Sequence, residues 1–145
     1  FDRTGQRGNF FDCTKNVKVI EFSQQLEYTG SKNLSWAIYE AEGNSTTYSR
    51  IFIKSATTTG TGKAYYSTGT ISVNLVSGKK YIFVTAWSGT TKVHYGNNPA
   101  SNDPILIGFG STEAAHSVNS TTFPDTYANP TRYEVVFNQQ IKFAE

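Results

Sequence analysis

The side chains here best suited to acid–base or nucleophilic chemistry are His94, His116 and Cys13. A Ser-His-Asp arrangement needs a histidine beside a nucleophile and oriented by a carboxylate. His94 sits at the end of a strand-like run, His116 sits in a Ser/Thr-rich stretch, and neither falls in a recognisable nucleophile motif. Cys13 is the single cysteine, so no intrachain disulfide can form, and it reads as a small buried hydrophobe. The carboxylates Asp12, Glu21, Glu40, Glu42, Asp103, Glu113, Asp125 and Glu134 are dispersed, with no spacing that predicts a glycosidase pair. The expectation is therefore a protein that is not an enzyme.

Two other chemistries stay open. Calcium takes carboxylate, amide and carbonyl oxygens, and Asn98, Asn102 and Asp103 share one loop while Asp125 lies in another. A structural Ca²⁺ held by Asn102, Asp103 and Asp125 is one reading, and ordinary turn formation is the other. The aromatic residues are the stronger lead. Sugar rings present apolar C–H faces that stack on Trp and Tyr, whose polar ends stay wet. Trp87, His94 and Tyr95 flank one turn, Tyr66 precedes a strand, and Tyr127 lies in a long loop near Asp125 and Asn129. These five are the candidate ligand-binding residues. Trp36 shares an alternating face with Leu34 and Ile38 and is assigned to the core. Trp87 ends an apolar run, so core and site readings both stand. Alternation puts Tyr65 and Tyr66 on opposite faces, leaving at most one free.

These residues must be positioned by strands. Hydrophobic residues make up 37% of the chain and charged residues 17%, with Thr, Ser, Asn and Gly filling the balance. Aromatics reach 14%, which together with Thr favours β-structure. No helical periodicity appears. Short alternating runs recur between Gly- and Asn-rich turns. They are 17–22 (extending toward Leu26 and Tyr28), 34–39, 48–54, 70–76, 81–87, 105–109 and 133–143. Residues 29–31 read as a turn and 57–62 as a flexible loop. Ile51 and Ile53 point inward if Arg50 and Lys54 face water. The brief connection 76–79 predicts an antiparallel hairpin between its flanking runs. Residues 110–130 carry no clear element beyond a short strand near Ser117. The sum is an all-β antiparallel sandwich, jelly-roll-like, of about eight to ten strands in one domain spanning 1–145.

The order of Gly8-Asn-Phe-Phe11, the 17–22 strand, Trp36-Ala-Ile-Tyr39 and Val73 to Tyr81 resembles a known group. It is similar to the accessory jelly-roll domains, carbohydrate-binding-module-like, of large secreted bacterial and archaeal surface proteins, proteases and glycoside hydrolases. The resemblance covers roughly residues 8–96. It implies attachment or glycan binding and transfers no individual site residue.

A net charge of +2 with one adjacent basic pair, Lys79-Lys80, excludes the basic stripe expected of a nucleic-acid binder. No apolar run approaches the roughly 20 residues that span a bilayer. The chain begins at Phe1 and contains no Met, as expected of a domain processed or excised from a larger secreted or cell-surface protein. Sequons at Asn33, Asn44 and Asn119 matter only in a glycosylating host. The first functional expectation is a non-catalytic domain that binds a carbohydrate or cell-surface polymer. The second is a structural or adhesive module whose partners are neighbouring protein domains. A small hydrolase ranks third.

Overall fold

The computed structural model describes residues 2–95, 105–106 and 108–145. They form nine strands: β1 (Asp2–Cys13), β2 (Val17–Ala41), β3 (Thr47–Ser67), β4 (Val73–Leu75), β5 (Lys80–Val93), β6 (Ile105–Leu106), β7 (Gly110–Val118), β8 (Thr126–Ala128) and β9 (Gln139–Ala144). Every described pairing is antiparallel, in the order β6-β7-β1-β5-β2-β3-β8 with β4 and β9 added to β2. The fold is all-β, antiparallel and sandwich-like. Among the described residues no helix is long and apolar enough to cross a membrane.

The curl of the sheet comes from one bent ribbon. β2 and β3 pair continuously from Glu40↔Ser49 to Ser23↔Ser67. The later half of β2 pairs with β5 from Leu34 onward, while its first half pairs with β4 and β9. Between these halves the ladder to β5 breaks, from Glu27 to Leu34. Gly30 and Gly62 take φ of 79° and 96° there, a region costly for residues with a Cβ. The ribbon bends enough for Lys54 Nζ to reach the carbonyl oxygen of Thr68 at 2.5 Å. Strands that change layer through such bends make sandwich corners.

This bend corrects two sequence expectations. The turn at 29–31 and the loop at 57–62 are both strand, paired to each other through Gly30↔Gly60. Threonine-rich segments without apolar alternation carry little periodic signal, and cross-strand pairing decides their conformation.

The first half of β2 folds over the sheet and closes the main core. Phe22 packs edge-on against Phe83 of β5 at 5.1 Å, and Phe11 of β1 meets the same ring at 5.2 Å. Trp36, Ile38, Leu26 and Val19 are buried with them. Fully burying each such side chain contributes about 1.5–3 kcal/mol.

The opposite face of the sheet is also covered. Phe10, Tyr39, Tyr48, Ile82 and Val84 form a second cluster beneath Phe123. The covering strap, residues 119–128, is pinned by three sheet side chains. Gln6 Nε2 donates to the carbonyls of Ser120 (2.8 Å) and Thr122 (3.0 Å), Tyr39 Oη to that of Pro124 (2.6 Å), and an Arg50 guanidinium nitrogen to that of Phe123 (2.7 Å).

Other expectations shift for local reasons. The run 70–76 does not make a hairpin with 81–87. β4 pairs with β2, while β5 pairs with β1 and β2, so the 76–79 turn is an arch between neighbours. Tyr81 holds that arch, its hydroxyl accepting from the Val76 N–H at 2.7 Å and donating to Glu40 at 2.8 Å. Ile51 and Ile53 are exposed, at 41% and 48%. A bulge between Ile38 and Tyr39 moves the register, so Phe52 faces the core and Ile53 pairs with Ala37 on the outer face. The stretch 110–118 is a nine-residue strand between β1 and β6. The final run is shorter than expected: β9 begins at Gln139, and Tyr133 and Phe137 make only isolated bridges.

Candidate functional site

The five candidate binding residues are scattered. Trp87 is 1% exposed, with its indole N–H donating to the Arg3 carbonyl at 3.0 Å, so it presents no stacking face to solvent. Tyr66 is buried and stacks on Tyr28, with ring centroids 4.7 Å apart. Tyr127, part of the strap, is half-buried, its hydroxyl donating to Gln6 Oε1 at 2.6 Å. His94 Nε2 lies 3.0 Å from Glu27 Oε1. Tyr95 is 46% exposed and bridges to Phe137.

The metal candidates are not brought together by anything described. Asp125 pairs with Arg50 at 3.1 Å and is otherwise open to solvent. Asn98, Asn102 and Asp103 lie outside the described residues. Among the described residues, no three His, Cys, Asp or Glu side chains are grouped to hold a metal ion.

The potential nucleophile and bases are separated as well. Cys13 is buried, and burial pushes its thiol pKa up, the reverse of activation. His116 is 1% exposed, bonded through Nε2 to Gln6 Oε1 at 2.9 Å. Since Gln6 Oε1 is an acceptor, Nε2 carries the proton. Desolvation, with a smaller contribution from Arg7, lowers the His116 pKa to about 4.

A groove of about 380 Å³ opens where β1, β7 and the 136–141 segment meet. Phe11, Phe109, Phe137 and Ile141 make it apolar, and Asn9, Asn138 and Gln139 add amides. Alternation along β3 leaves Tyr65 38% exposed at this groove while Tyr66 turns inward.

The amides are oriented by a buried network. Asn9 Nδ2 donates to the Phe137 carbonyl (2.8 Å) and to Gln139 Oε1 (3.0 Å), and Gln139 Nε2 donates to Gln24 Oε1 (3.0 Å) and the Phe83 carbonyl (2.8 Å). Asn138 Nδ2 donates to Gln25 Oε1 at 2.9 Å. The Asn138 backbone N–H donates to the His94 carbonyl at 3.0 Å, which sets the His94–Tyr95 segment against this wall. Thr112, 4% exposed, lines the groove, and its hydroxyl has no hydrogen-bond partner among the described residues.

Sequence reasoning missed this groove because its walls come from segments more than one hundred residues apart. The alternation rule did indicate that only one ring of the Tyr65-Tyr66 pair could be free. No family model, curated protein or solved structure matches the chain.

Proposed function

We propose that the chain is a non-catalytic extracellular binding domain, and that the groove beside Tyr65 takes a sugar ring of a glycan or cell-surface polymer. One observation carries the reading: aromatic and aliphatic side chains, oriented amides and an exposed tyrosine converge in one groove. Its volume lies in the range of small-ligand sites. The groove-lining residues include no carboxylate, imidazole or thiol, which favours binding over hydrolysis.

A glycan array with the purified chain, with and without Ca²⁺, tests this. Tyr65→Ala is expected to weaken binding at least about tenfold, as loss of an anchoring aromatic does. Ile20→Ala removes a similarly exposed apolar side chain outside the groove and is expected to leave binding intact. Silence of a folded protein across a broad array, or equal binding by Tyr65→Ala, overturns the reading. Binding lost on chelation assigns a structural Ca²⁺ role.

A second reading, a structural or adhesive module, rests on β3. Beyond its short pairing with β8 at residues 47–49, β3 pairs only with β2 among the described residues, and Ile51 and Ile53 are exposed beside that open edge. Such edges recruit further strands from protein partners. Concentration-dependent self-association that Ile53→Lys abolishes is the expected result. A monomer at all concentrations, with no protein partner, removes it.

A further inference from the structure

Arg7 is the one buried lysine or arginine among the described residues, at 2% exposure. Its Nη1 donates to the carbonyl oxygens of Thr4 (3.0 Å), Gln6 (2.7 Å) and Val118 (2.9 Å), and Nη2 to Asn119 Oδ1 (3.1 Å). All four acceptors are neutral. The Nε–H has no partner, and no carboxylate pairs with Arg7 among the described residues. A buried charge without a counter-ion is costly. Burial, and then the like charge of Arg3, hold this guanidinium below its ordinary pKa.

Two surface depressions, of about 510 and 400 Å³, meet at this residue. Arg3, Arg7 and Ser117 line both. The larger adds the Thr90 hydroxyl and Asn119, whose Oδ1 is taken by Arg7 so that its NH₂ group remains a donor. Asp2 lines one depression and Glu134 the other, and neither pairs with Arg7.

We propose that the Arg3–Arg7 end of β1 is a binding site for a sulfate or carboxylate oxyanion, free or carried on a sugar. Arg3 contacts the anion directly, Thr90, Ser117 and Asn119 donate to it, and Arg7 supplies the uncompensated charge behind them. The site is independent of the Tyr65 groove, because only Phe137 borders both the groove and the smaller depression.

The test is titration of the intact chain with sodium sulfate, glucose 6-sulfate and glucose at constant ionic strength, followed by amide chemical shifts. Saturable shifts at residues 3–7, 90 and 117–119 are expected with both sulfates and not with glucose. Tighter binding of glucose 6-sulfate than of sulfate identifies the sugar-borne source, and equal binding identifies the free ion. Arg3→Gln alters an exposed side chain and is expected to weaken binding about tenfold, the value of one charge-assisted contact. Absence of saturable shifts overturns the proposal. So do shifts of the same affinity in Arg3→Gln, which would mark a general salt effect.

Discussion

Gly8→Ala is expected to leave the protein without a stable folded state. Gly8 lies in the middle of β1, opposite Val84 of β5 on one side and His116 of β7 on the other. A Cβ there would stand 2.0 Å from the Phe83 carbonyl oxygen and 2.7 Å from the Val84 Cα. Both obstacles are backbone, so no rotamer change relieves them. β1 must separate from β5, and the two cores on either side lose their registration. The cost should exceed about 4 kcal/mol, the range reserved for gross disruption, against a total stability of about 5–15 kcal/mol. Gly78→Ala is the matched control. Its φ is +88° but its surroundings are empty, so the strain should cost only about 1–2 kcal/mol. Circular dichroism melts of both variants decide the matter. A Gly8→Ala protein melting within a few degrees of the parent would mean that β1 does not press on β5 as described.

Acidification supplies the second large effect. His116 titrates near 4 in the folded chain and near 6.5 when free. Between these values the unfolded chain binds a proton that the folded chain refuses, so stability rises with pH across the window. This contribution is present above about pH 6.5 and is lost as pH falls toward 4. A gap of that size corresponds to about 3 kcal/mol. The structural cost falls on one cluster. His116 is surrounded by Phe10 at 6.1 Å, Tyr127 at 4.9 Å and the Gln6 amide that also pins the strap. Urea denaturation at pH 7 and pH 4.5 measures the loss. Carboxylates also titrate there, so the comparison is with His116→Gln, which keeps a donor near Gln6 but cannot charge. The parent should lose about 2–3 kcal/mol more than the variant between the two pH values. Equal losses would show that His116 is not the acid-labile group.

The legible parts of this fold were those where burial imposes period two. Leu34, Trp36 and Ile38 sit in the main core, and 17–22 and 81–87 are strands. Strand β7 was hidden because Gly110–Val118 is mostly small or polar, and its burial comes from β1 and the strap rather than from its own apolarity. The 57–62 segment was hidden because glycine and threonine signal a loop while pairing to β2 holds it extended. For the site, residue type identified aromatics but not their exposure. Trp87 and Tyr66 are core residues because the bent ribbon and β1 close over them, a long-range event. Alternation separated Tyr65 from Tyr66 but did not say which ring faces solvent, and the candidate Tyr66 is the buried one.

The arrangement of the outermost strands also fixes how the domain would bear tension. β1 is gripped on both sides, by β5 and β7, along most of its twelve residues. β9 is six residues long and held by β2 alone among the described strands. Load carried through β9 meets only its ladder to β2 and would strip it, baring the first half of β2 and the wall of the Tyr65 groove, while load carried through β1 meets two ladders. Mechanical load on β9 would open the proposed binding groove before it unravelled the scaffold.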